Sequence, residues 1–121
     1  MKKKKQKKFS YLVPIYDIAI EVYLCKYEEL PSYLKEDVDR LFSAFTTTVT
    51  ENKTGERKLC IWIDDFAWTS RRMGTLVHEL SHTVDKIDEI KQTEFNTEGR
   101  AYLLGYLVEH FFYKIGKIYT K

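Results

Sequence analysis

Residues 57–90, RKLCIWIDDFAWTSRRMGTLVHELSHTVDKIDEI, carry two periodicities in succession. In the first eight, Leu59, Ile61 and Ile63 alternate with Cys60, Trp62 and Asp64, which predicts a strand over 57–64. From Thr69 or Ser70 the period changes. Leu76, Val77, Leu80, Val84 and Ile87 recur at helical spacing, so a helix is expected from there to about residue 90, with a hydroxyl at its N-cap.

That helix contains His78-Glu79-Leu80-Ser81-His82. Four residues are about 400° of rotation, so the two imidazoles stand one turn apart on one face. Two neutral imidazoles so placed can share a Zn²⁺ at about 2.0–2.1 Å each. Glu79 is turned about 100° from His78, beside the expected metal-bound water rather than on the ion, where a general base belongs. By chance the pattern arises in roughly 0.7% of chains of this composition, and a chance match need not fall on an amphipathic helix with its apolar stripe opposite.

Upstream, Ile18, Ile20, Val22 and Leu24 alternate with Ala19, Glu21 and Tyr23, which predicts a strand over 15–25. Leu34, Val38, Leu41, Phe42 and Phe45 predict a helix from 32 to 45. The β-rich TTTVT, the turn-forming ENKTGE and the 57–64 strand make a hairpin, with its first strand near 46–51. A last helix should open at Asn96 or Thr97 and run to about 115. Its apolar content, from Ala101 to Phe112, is nearly all-round and predicts a well-buried element. The expected order is β-α-β-β-α-α: an α+β fold with a three-stranded sheet packed on three helices.

With 121 residues the chain is long enough for one modest core, expected over 11–121. Six of residues 2–8 are Lys, and without them 14 basic residues face 18 acidic ones. Residues 1–10 therefore read as a disordered basic leader, capable of weak, salt-sensitive contact with nucleic acid or an anionic surface. A signal peptide is disfavoured, because Asp17 and Glu21 interrupt the following apolar run and no cleavage site is clear. No run approaches a membrane span. Two cysteines, Cys25 and Cys60, are too few for a disulfide framework, so a reducing, cytoplasmic setting is expected.

A catalytic zinc needs a third protein ligand. Asp88 lies six residues after His82, but the helix would have to break at position 85, which is Asp. Cys60 stands on the preceding strand, where a cysteine is usually a small apolar residue. Glu94 precedes the last helix and should be solvated. Glu98 is favoured: it sits in the first turn of the last helix, sixteen residues after His82, where the helix dipole favours a carboxylate.

HELSH followed by Glu98-Gly99-Arg100-Ala101-Tyr102 resembles the gluzincin group of zincin metallopeptidases in their smallest form, the short enzymes of phages and mobile elements. The resemblance covers Trp62 to Leu107. It implies a His₂Glu zinc site of His78, His82 and Glu98, a sheet edge strand beside the cleft, and peptide-bond hydrolysis. The 57–64 strand, which runs on into the metal-bearing helix, is the expected edge. Glu79 would be the base, and Tyr102 or Arg100 an oxyanion donor. Position 102 is Tyr where larger gluzincins carry a second-shell Asp, a part that Asp85 could take. The alternative is a non-catalytic zinc-binding zincin-like module whose partner is a protein or DNA. The oligomeric state is open.

Overall fold

A computed structural model describes residues 7–14, 16–36 and 43–118. The elements are β1 (Lys7–Val13), β2 (Ile18–Leu24), a 3₁₀ turn (Tyr27–Glu29), α1 (Ser32–Lys35), β3 (Ala44–Thr50), β4 (Arg57–Ile63), α2 (Ser70–Lys91) and α3 (Thr97–Ile118). They group into two compact units, Met1–Phe66 and Ala67–Lys121.

The first unit is a four-stranded mixed sheet in the order β1-β2-β4-β3. β2 and β4 pair in parallel, and the two outer pairings are antiparallel. The α+β class holds, with one strand more than expected. The added strand, β1, begins at Lys7, inside the stretch expected to be a disordered leader. Phe9, Tyr11 and Val13 alternate along it, opposite Val22, Ile20 and Ile18 of β2. Pro14 has no amide to continue the ladder. The chain turns there, with Asp17 in the left-handed region at φ 52° and its amide bonded to the Val13 carbonyl.

β4 is paired on both sides, so residues 57–64 are a central strand rather than the expected edge. Its neighbours decide this: Leu59, Ile61 and Ile63 register with Ile20, Val22 and Leu24, and all six are almost wholly buried. With a hydrogen-bonded strand on each side, β4 presents no open backbone edge.

The opposite face carries a separate core of Tyr23, Cys25, Leu30, Leu34, Cys60 and Trp62, with Tyr27, Phe45 and Val49 packed against it. The indole N–H of Trp62 donates to the Cys25 carbonyl at 2.8 Å, and the rings of Tyr27 and Phe45 meet the indole edge-on. This cluster corrects the helix expected over 32–45. α1 ends at Lys35, and Val38, Leu41 and Phe42 lie outside the described residues. Ala44 and Phe45 already belong to β3, because Phe45 stands opposite Trp62. The hairpin closes through Glu51, whose amide bonds the Glu56 carbonyl, and through Gly55, at φ 73°. That backbone conformation suits glycine.

The second unit is a helical hairpin. Thr69 caps α2, accepting the Arg72 amide at 3.2 Å. Leu76, Leu80, Thr83, Val84 and Ile87 form its buried stripe. Gln92 ends it in the left-handed region, the usual αL stop. Asn96 opens α3 by accepting the Gly99 amide at 2.7 Å. Arg100 reaches Asp85 and Asp88, and Trp68 packs against Phe112 at a centroid distance of 6.0 Å, so the helices run antiparallel. α3 buries one stripe, Leu103, Leu107, Phe111 and Ile115, instead of most of its circumference. Tyr102 and Tyr113 remain 75% and 65% exposed. No helix among the described residues is long and apolar enough to cross a membrane.

Candidate metal centre

α2 brings the two motif histidines together as the spacing demands. Their Nε2 atoms face each other at 3.1 Å, with the rings nearly perpendicular. An ion bonded to both at about 2.0–2.1 Å would subtend an N–metal–N angle near 100°, close to tetrahedral. Neutral rings at this distance share a hydrogen bond, one Nε2 donating to the other. Metal binding requires the donor ring to move its proton to Nδ1. The pair fits a small divalent ion as a two-point chelate.

The motif is split between two environments. His78 and His82 are exposed, whereas Glu79 is 6% exposed on the adjoining flank. One turn on, Thr83 donates its hydroxyl to the Glu79 carbonyl at 2.9 Å, fixing the backbone that carries the carboxylate.

Glu98 is not brought to the pair. Among the described residues, no third His, Cys, Asp or Glu joins His78 and His82 into a group that could hold a metal. The cause lies in the connection between the helices. α2 continues to Lys91, and its Asp88 carboxylate gathers the chain beyond: it accepts the Thr93 hydroxyl at 2.5 Å and the Phe95 amide at 3.2 Å. These bonds, the Thr93 hydroxyl first, hold Asp88 below the usual carboxylate range. Arg100 then pairs with Asp85 and Asp88, so the first turn of α3 docks at the far end of α2. Glu98, two residues earlier, is turned about 200° from Arg100 and lies exposed. Tyr102 shares that exposed side.

The same contacts place the other candidates. Asp88 is a structural carboxylate. Arg100 is engaged with it and with Asp85, so neither Arg100 as an oxyanion donor nor Asp85 as a second-shell partner of His82 has its expected neighbour. Cys60 is fully buried in the sheet, and burial pushes its thiol up to about 11, away from the thiolate that binds metal. Glu94 is exposed at φ 52°. His110, the remaining histidine, stacks on Tyr106 at 4.1 Å. The structural part of Asp88 was open to a sequence reading in one respect: Thr93 and Asn96, both turn and cap formers, follow it closely.

No protein-family model, curated protein or solved structure matches the chain.

Proposed function

We propose that the chain is a zincin-like, zinc-dependent hydrolase of peptide bonds, with His78 and His82 as metal ligands and Glu79 as the general base. The observation that carries this reading is the 3.1 Å approach of the two Nε2 atoms on one helix face, with a carboxylate on the next residue. Bound zinc would polarise the scissile carbonyl and acidify a water. The chain's own parts are then distinct. The imidazoles hold the ion through Nε2. Glu79, shielded from bulk solvent, takes the water proton on its carboxylate and passes it to the leaving amine. Glu98 and Tyr102, on the exposed side of α3, have no part in this proposal.

The exposure of the pair, with no third His, Cys, Asp or Glu grouped with it among the described residues, favours a second reading, a zinc-binding module without catalysis. One experiment separates them. The zinc-loaded protein and its Glu79→Gln variant are incubated with a quenched fluorescent peptide library. Catalysis predicts turnover that a chelator stops and that Glu79→Gln loses while keeping its zinc. Zinc retention without turnover in the parent protein would favour the module.

A further inference from the structure

The exposed strip of α2 has a symmetry that the motif alone does not reveal. His78 and His82 lie two residues either side of Leu80, and Arg71 and Glu89 lie nine residues either side of it. Arg71 and Glu89 are eighteen residues apart, about five whole turns, so they point the same way. That direction is about 20° from His78, midway between the two histidines. All four side chains are exposed. Gly74 lies near the strip, and a Cβ there would meet no atom within 4 Å.

A second copy of α2 laid antiparallel on this strip, with the two-fold axis crossing the strip at the level of Leu80, brings His78 opposite the partner's His82 and Arg71 opposite the partner's Glu89, at both ends. The contact is isologous: each charge meets its opposite and each pair of imidazoles meets another. Among the described residues of one chain the chelate has two donors, and the second copy supplies two more. The rest of the strip, Thr75 and Asp85, is polar, so no apolar seam would hold the copies together without the ion.

We infer that zinc links two copies of this chain through a four-histidine site on the exposed face of α2, with Arg71–Glu89 pairs closing its ends. This rests on the metal reading above and adds regulation to it. Four histidines fill a tetrahedral zinc and leave no open position for water. The linked dimer is therefore a resting form, favoured by high protein and limiting zinc.

Sedimentation equilibrium of the full chain tests this, in chelator and with half an equivalent of Zn²⁺. The expected result is a monomer in chelator and a dimer with one zinc per two chains. Replacing zinc by Co²⁺ should give the intense visible absorption of a tetrahedral ion. His82→Ala should stay monomeric with zinc present. Arg71→Glu places like charges at both ends and should weaken dimerisation about tenfold, as expected for two surface pairs reversed. The double variant Arg71→Glu with Glu89→Arg restores opposite charges and should regain it. Circular dichroism of each variant verifies the fold. Zinc binding by a chain that stays monomeric at every concentration would overturn the dimer and leave the metal reading intact. No zinc binding at all would remove both. A dimer that persists in chelator, or a double variant no better than Arg71→Glu, would also overturn it.

Discussion

Glu21 of β2 and the histidines of α2 are polar groups on regular elements, and the chain treats them in opposite ways. The Glu21 carboxylate is spoken for: Lys58 reaches it at 2.8 Å, Lys8 at 3.4 Å and the Tyr23 hydroxyl at 3.4 Å. Burial alone would raise its pKa, yet the hydrogen bond and charge of Lys58, helped by Lys8, bring it below its ordinary value. The same contact raises Lys58. On α2, the two Nε2 atoms lie on an exposed face and meet each other at 3.1 Å. The sheet pairs its polar groups with other parts of the chain, which serves stability. The helix presents its two imidazoles to solvent, with their Nε2 atoms facing each other. The contrast is between side chains paired within the fold and side chains presented to solvent.

The sharpest way to break it is to damage the sheet. Trp62→Ala removes the indole at the centre of the second core, and should cost about 3–5 kcal/mol, measured by urea unfolding. Cys60→Pro removes a ladder donor from a strand paired on both sides, and circular dichroism should show the fold lost rather than a trimmed edge. Survival of that variant with an unchanged melting temperature would contradict the central position of β4.

Asp88→Asn comes next. It keeps the shape and weakens the bonds that gather Thr93, Phe95 and Arg100, so hydrogen exchange should quicken at the start of α3 while zinc binding stays as it was. Loss of zinc on this change would return Asp88 to the ligand set.

The smallest effect belongs to Glu21. Its folded pKa is depressed, so its contribution is complete above the ordinary carboxylate value of 4.5 and disappears as pH falls through the lowered value. Glu21→Gln should flatten the acid end of the stability curve and leave neutral pH only slightly changed. An identical acid limb in the variant would show that the lysine contacts do not stabilise.

How much of this was legible in the sequence follows from which forces are local. β4 and α2 show their periods plainly, and Thr69 marks the start of α2 by its hydroxyl. The His78–His82 approach follows from helical geometry alone. β1 was hidden because its first residues sit in a run of lysines, and only pairing with β2 turns Phe9, Tyr11 and Val13 into a strand. Phe45 fits a helical stripe as well as a strand, and contact with Trp62, seventeen residues on, decides it. The position of Glu98 was the least legible. Its distance along the chain from His82 says nothing about where α3 docks, and that is settled by Asp85 and Asp88 holding Arg100 at the end of α2.

Whether His78 and His82 form a metal-binding pair is decided by calorimetric titration of the metal-free protein with Zn²⁺. Saturable binding by the parent chain is expected, lost in His78→Ala and in His82→Ala and retained in Glu98→Ala. Binding that survives either histidine change, or a parent chain that takes up no zinc, would contradict it.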